Sequence, residues 1–503
     1  MPTNSEALRL NLEYYRKQAK ALLKSAQAGE PDALTRISRQ SPKFEPDALK
    51  LHDAQLTIAR EQGFASWPRF RVFILQFGLD EQGLIAAFID AAVSDLRRAE
   101  EILTAHPKIV DAGYYVDLVL GNYERVEKAV HETPSLATVP SGPQNCEALL
   151  YVCFSRYASP LSKRAAALGE TGKVLLRHGA NPNAAFTPED LPDNPLPCLY
   201  ASTGLNNNPE LALALLEAGA NPNDNESLYH STEHRDLTCM KLLLRHGAVP
   251  TGSNVLKHAL DRENPEGVQL LLAAGADPNE AGENHETALH WAVWRGRSAQ
   301  VVAQLCDHGV DLNAQRKDGR TAYALAALSG DRTVASLLEA RGANTALRPA
   351  DRVLAEYVMP NGGGRAATPA LTPEIAAAGE RLIPDLASSH RTQAVETLLA
   401  AGMPVDGRGE LGATALHWAC WKGFPDLVKL LLSHGASLSV EDQEFHGTPP
   451  GWFAHGLHNC HEDGGDYPGV ARLLIGAGAA IPKDDLPTGN PEVDAVLKEH
   501  GLI

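Results

Sequence analysis

Basic residues are scarce in this 503-residue chain. Its 45 Lys and Arg against 62 Asp and Glu leave a net charge of -17, so most of the surface repels nucleic-acid phosphate and anionic lipid. A general DNA- or RNA-binding role is excluded on that ground. No apolar run approaches the length of a membrane-spanning helix, and residues 1–30 are charged and amphipathic, without the apolar centre of a signal peptide. A soluble, cytoplasmic protein with no membrane partner is expected. Aromatics are only 6% while Leu and Ala dominate, a bias that suits closely packed helices better than β-sandwiches. The seven cysteines are odd in number and show no C-x-x-C pair, which reads as reduced thiols. Catalytic motifs are missing too. MPNGGGR (359–365) lacks the Lys-Ser/Thr of a phosphate loop, and neither G-x-S-x-G nor H-E-x-x-H occurs. No cofactor is expected, and catalysis is the less favoured reading.

What is present is a repeat. VLLRHGANPN (174–183), LLEAGANPN (215–223), LLLRHGAVP (242–250), LLLAAGADPN (270–279) and QLCDHGVDLN (304–313) are variants of one phrase. It continues as LLEARGANT, LLAAGMPVD, LLSHGASLS and LLIGAGAAIP, with glycines at 179, 219, 247, 275, 309, 342, 402, 435 and 478. A leucine run packs a helix inward, a left-handed Gly ends it, and Asn-Pro or Asp-Pro turns the chain away. About 21 residues upstream of three of these glycines, TALHWAVWRG (287–296), TAYALAALSG (321–330) and TALHWACWKG (414–423) place Thr at a helix start with apolar residues on one face. A degenerate relative occurs earlier, where FIDAAVSDLRRAEEILTAHPKIV (88–110) aligns with YVDLVLGNYERVEKAVHETPSLA (115–137) at an offset of 27.

The period of about 33 residues and the Thr-x-Leu-His phrase resemble the ankyrin repeat. The resemblance covers residues 145–482 at motif level and implies an all-α solenoid of stacked helix pairs with helical N- and C-terminal caps. DAQLTIAREQGFASWPRF (53–70), ELGATALHWACWKGFPDLVKLLLSHGA (410–436) and GTPPGWFAHG (447–456) also look like a group of large bacterial ankyrin-repeat proteins. The expected organisation is a helical cap over 1–80, tagless helix pairs over 81–140 and ankyrin repeats over 141–345. An eroded unit with a mobile Gly-rich loop follows over 346–381. Repeats then resume over 382–482, with a His-rich insertion at 455–469, and a C-terminal cap closes the chain over 483–503.

In the ankyrin pattern the two residues before the glycine that closes the first helix lie on the concave face. The resemblance therefore puts Trp294, Arg295, Leu328, Ser329, Trp421, Lys422 and His455 there, and counting from the equivalent helix starts adds Glu233, His234, Asp261 and Arg262. Trp and Arg along a groove suit protein binding, so a protein-interaction scaffold is the favoured function. The alternative is a small-molecule binder or enzyme using Glu233, His234 and Asp261 in a Trp-lined pocket. Trp291 and Trp418 replace a core Leu of the pattern and are expected to pack inside. His290 and His417 belong to the signature and are expected to bridge neighbouring repeats. His455, His458, Cys460 and His461 are candidate zinc ligands, but they lack paired ligand spacing, so a solvated loop is the favoured reading.

Overall fold

The computed structural model describes residues 12–40, 49–62, 81–188, 193–358, 371–460, 464–479 and 490–502, with Trp67, Phe70, Arg71, Ile481 and Thr488. The chain is all-α, with 61% helix and 1% strand, and it divides into two compact units. The expected mobile loop at 359–370 lies outside the described residues.

The first unit comprises residues 1–202 and 210–220. Its helices Leu12–Gln27, Pro31–Gln40 and Leu51–Glu61 bury an apolar face in a core of their own that includes Tyr15, Leu22, Ile37, Ile58 and Phe70. The pairs Glu81–Ser94 with Leu96–Ala105 and Tyr114–Leu120 with Tyr123–Glu132 follow. Each second helix stops before a proline, at His106 and Thr133, and runs into a short 3-10 turn beginning Pro107 or Pro134. Proline fixes φ at a helical value while lacking the N–H that a continuing helix needs.

The second unit comprises residues 203–209 and 221–503. Here the two-helix repeat is plain: Ser227–Ser231 with Thr238–Arg245, Val255–Ala259 with Pro265–Ala273, Ala288–Trp294 with Ala299–Asp307, and Ala322–Leu328 with Arg332–Ala340. After an interruption it resumes as Leu382–Ser388 with Thr392–Ala400, Ala415–Trp421 with Pro425–Ser433, and Pro449–Asn459 with Tyr467–Gly476. Thr287, Thr321, Thr414 and Thr448 are the helix N-caps, each side chain accepting a backbone N–H of the first turn. Across the two units all nine tag glycines have left-handed φ, from 79° to 96°.

A polar residue four positions after several of the tag glycines has a second task. Asn223 Nδ2 donates to the Gly247 carbonyl at 3.0 Å, and its Oδ1 accepts from Val249 N at 2.7 Å. Asn279 does the same at Gly309 and Asp311, and Asn313 accepts from Asn344 N at 2.8 Å. Thr251 substitutes at the unit that lacks Asn, donating to Gly275 O at 2.8 Å. These bonds satisfy loop backbone groups that no helix can reach. His290 and His417 add a parallel set. Each accepts from its own Thr N–H at Nδ1, so Nε2 carries the proton and reaches the next repeat, at Arg320 O (3.3 Å) or Gly447 O (3.0 Å). Burial holds both imidazoles below their ordinary pKa, in the neutral form this geometry requires.

The interruption after residue 342 reshapes the unit. The helix Pro349–Val358 enters there, anchored by Asp351, which is fully buried between Arg320 and Arg348. The preceding inner helix, Ala322–Leu328, has six of its seven residues buried, four of them alanine. Such small side chains let backbones approach closely. Ser389 Oγ donates to the carbonyl of Trp294, 95 residues away, and Arg391 pairs with Asp331. The inner face around Trp294 is thereby covered by the segment 382–412 of the same unit. Leu328, expected on an open concave face, is instead buried at 1% exposure.

Candidate functional site

The covered face holds a polar cluster built around two tryptophans. The Ala288–Trp294 helix presents Trp291 and Trp294, whose rings meet edge to face at 5.1 Å. Arg295 lies over both, with its guanidinium carbon 4.1 Å from the Trp294 centroid and 5.0 Å from that of Trp291. The ring of Trp418, from the Ala415–Trp421 helix, lies 6.0 Å from the same carbon. Indole faces carry negative charge density, so this is a cation–π arrangement in which the occupant is the protein's own arginine. Asp261 completes it. Its Oδ1 accepts from Trp291 Nε1 at 3.0 Å and stands 2.9 Å from Arg295 Nε, close enough for charge pairing though not aligned as a hydrogen bond.

Trp294, Arg295 and Asp261 are therefore brought together, but against each other and not along an open groove. Trp291 is half-buried, whereas Trp418 is buried at 7% exposure among Trp452 and neighbouring apolar residues. Beside Trp294 lies Asp385, which accepts a hydrogen bond from the indole. Burial pushes the Asp385 carboxyl above its ordinary pKa against the opposing pull of Arg381, and burial does the same to Glu410 against the pull of Arg295. Asn284, Glu286, His290, Trp291, Trp294, Arg316, Arg381 and Glu410 line a cleft of about 40 Å³ in this cluster. A volume of that order holds a few water-sized atoms. Sites for whole small molecules enclose roughly 300 Å³ or more.

The other residues singled out in the sequence lie elsewhere. Glu233 accepts from His230 Nδ1 at 3.0 Å and stands 3.5 Å from His258 Nε2, while His258 stacks on Tyr229 at 3.7 Å. Burial would depress His230, but Glu233 and Glu226 outweigh it and raise its pKa, and the same pairing lowers that of Glu233. His234 contacts the Gly204 carbonyl through Nε2 at 2.6 Å, and Arg262 is half-buried. Glu233 pairs with His230 and lies near His258, Asp261 pairs with Trp291 and Arg295, and His234 meets the Gly204 carbonyl. Lys422 is buried at 4% exposure, contrary to the accessible position that the repeat pattern implies. Trp421 is half-buried and stacks with the exposed His455 at 5.2 Å and 30°. Gly456 does not end its helix, which runs on to Asn459. A Cβ there would sit 2.3 Å from the Trp421 carbonyl oxygen, so this glycine serves close helix approach. Of the metal candidates, the side chain of His458 and all of His461 lie outside the described residues, and no metal-holding group of three or more ligands occurs among the described ones.

A family model described as "Ankyrin repeats (3 copies)" matches residues 198–281, 259–348 and 382–442. Residues 198–348 and 382–442 match ankyrin repeats. The helix pairs, Thr caps and left-handed glycines of the second unit are what those matches look like in three dimensions. The interval from 349 to 381, which no match covers, is where the helix Pro349–Val358 interrupts the series. Among solved structures, the ankyrin repeat domain of Bcl-3, described as a unique member of the IkappaB protein family, is 24% identical. That alignment covers 46% of this chain and 94% of that one, with a TM-score of 0.23. The human ASB11 ankyrin repeat domain is 22% identical over 39% of this chain and 90% of its own, with a TM-score of 0.20. No curated protein matches the chain. No helix among the described residues is long and apolar enough to cross a membrane.

Glu286, Arg316, Arg381, Asp385 and Glu410 were not singled out from the sequence. Glu286, Arg316 and Glu410 come from the segments between repeat helices, and Arg381 and Asp385 from the start of the Leu382–Ser388 helix, away from the two positions before a closing glycine that the repeat pattern marks. One local signal exists. Leu411 holds a left-handed φ of 59°, uncommon for a branched side chain, and the turn it makes carries Glu410.

Proposed function

We propose that this protein is a non-enzymatic scaffold that binds another protein along the inner-helix face of its second unit. Ankyrin repeats are generally protein-interaction modules, and the three repeat matches at 198–348 and 382–442 carry the reading. The small volume of the cleft supports it against a whole small-molecule substrate. Candidate contact residues are those of the inner column that are not packed away: Arg262, Trp421 and His455, with Glu233 and Asp261 supplying negative charge. The stacked Trp421–His455 pair, with the imidazole exposed, is the anchor of the kind that dominates interfaces. A bacterial setting is supported by the likeness of 53–70 and 410–436 to large bacterial ankyrin-repeat proteins, and a cytoplasmic one by seven cysteines that form no disulfide.

The test is affinity capture from the native host with the full chain and with Trp421→Ala/His455→Ala, each checked for an unchanged melting curve. A partner retained by the parent and lost by the variant is expected, with affinity falling by about 2 kcal/mol or more. Equal capture by a folded variant would refute the assigned face.

A further inference from the structure

The inner helices of the second unit carry a chain of polar contacts that crosses from one repeat to the next. His230, on the Ser227–Ser231 helix, stands between two carboxylates, with Nδ1 3.0 Å from Glu233 Oε1 and Nε2 3.2 Å from Glu226 Oε2. A carboxylate only accepts, so meeting one at each ring nitrogen requires a proton on both, and His230 is an imidazolium. His258, on the Val255–Ala259 helix of the following repeat, is set up differently. Its Nδ1 lies 2.8 Å from Thr232 Oγ1 and 3.2 Å from the Tyr229 carbonyl. The Thr232 hydroxyl donates to that same carbonyl at 2.8 Å, so both neighbours are acceptors toward Nδ1, which holds the proton. In the neutral ring Nε2 then turns an unshared pair toward Glu233 Oε1, 3.5 Å away.

The surrounding charges are few. Burial keeps His258 neutral against the pull of Asp261 and Glu233, and Arg262 acts in the same direction as burial. Asp261 is itself held by Arg295 and by Trp291 Nε1 from the next repeat, and Lys257 lies toward Gly282. The Tyr229 ring, stacked on His258 at 3.7 Å, keeps an uncharged phenol, since burial raises its pKa.

We propose that His230 and His258 form a proton-responsive link between these two repeats, in which His258 takes up a proton at Nε2 in acid and pairs with the Glu233 oxygen that His230 already holds. With His230 charged and His258 neutral, Glu226 and Glu233 leave a single negative charge. The proton taken up by His258 cancels it, and loss of the His230 proton in alkali doubles it. Histidine is the side chain whose ordinary range spans neutral pH. Glu233 belongs to the face assigned above to a protein partner, so as a control on binding the inference rests on that reading; as a property of the two imidazoles it does not.

The experiment titrates the full chain, with 15N in its histidines, from about pH 5 to 9 and follows the ring nitrogens of His230 and His258, assigned with His230→Gln and His258→Gln. At neutral pH His230 should show two protonated nitrogens and His258 a proton on Nδ1 alone. The His230 midpoint should lie above, and that of His258 below, the ordinary value of about 6.5. Glu226→Gln should lower the His230 midpoint by about one pH unit and move that of His258 little, whereas Glu233→Gln should lower both. Each variant is first checked by its melting curve, and the wild-type titration stands without them. A His258 proton on Nε2 at neutral pH, equal midpoints for the two rings, or a His258 midpoint unmoved in folded Glu233→Gln would overturn the proposal. No partner enters these measurements, so a failure of the assigned binding face would show in the capture experiment and not here.

Discussion

Replacing Asp351 by Asn removes one charge from the interrupted unit and nothing else of similar size. Asp351 is fully buried and accepts from Arg320 at 2.8 and 3.2 Å and from Arg348 at 2.6 and 3.0 Å. The side chain of Arg320 is only 7% exposed, so without the carboxylate its guanidinium stays buried with Asp318 at 3.3 Å as its remaining counter-ion. Breaking a buried pair typically destabilises by about 3–5 kcal/mol. The Arg348 side chain is 40% exposed and rehydrates, which places the expected loss at the lower end, about 3 kcal/mol. Repeat proteins open locally, so urea unfolding should be combined with amide hydrogen exchange, and the loss of protection should centre on residues 316–358 and 371–402. The apolar replacement Arg320→Met/Asp351→Leu/Arg348→Met should recover most of the stability, since it leaves no charge stranded. Acid gives a second check. Burial alone would raise the Asp351 carboxyl, but Arg348 and Arg320 outweigh it and hold it below its ordinary value. A group depressed in the folded state contributes its stability above its unfolded pKa, near 4, and loses it as pH falls through the folded value. The gap between wild type and Asp351→Asn should therefore be constant at neutral pH and shrink below about pH 4. An Asp351→Asn protein that unfolds at the wild-type urea concentration at pH 7 would refute the argument.

Gly456→Ala should destabilise by about 1–3 kcal/mol, because its Cβ would meet the Trp421 carbonyl oxygen at 2.3 Å and a backbone atom yields little; calorimetry showing wild-type stability would mean that the two helices are not so close. Trp418→Ala, at a buried ring, should cost about 3–5 kcal/mol, and Trp294→Ala, at a half-buried one, clearly less. Equal losses in denaturant titration would show that Trp294 is as enclosed as Trp418.

Much of this protein is legible one repeat at a time. A helix stop needs one residue tolerant of positive φ, and a helix start needs one hydroxyl at the right offset, so nine glycines and the Thr-x-Leu-His phrase identify the helix pairs without any tertiary information. In two repeats the same phrase contains the His that links the repeat to the next, since both partners sit at fixed places in the period. The inner face is different. Whether Trp294 and Arg295 look onto solvent depends on what packs over them, and here a serine 95 positions along the chain donates to the Trp294 carbonyl. The burial of Lys422, the run of the helix past Gly456 and the meeting of Glu286 with Glu410 at one cleft are likewise products of neighbouring repeats. Periodicity says which side of a helix faces its partner. It carries no measure of the separation between faces, which is set by side-chain volumes summed over elements distant in the chain.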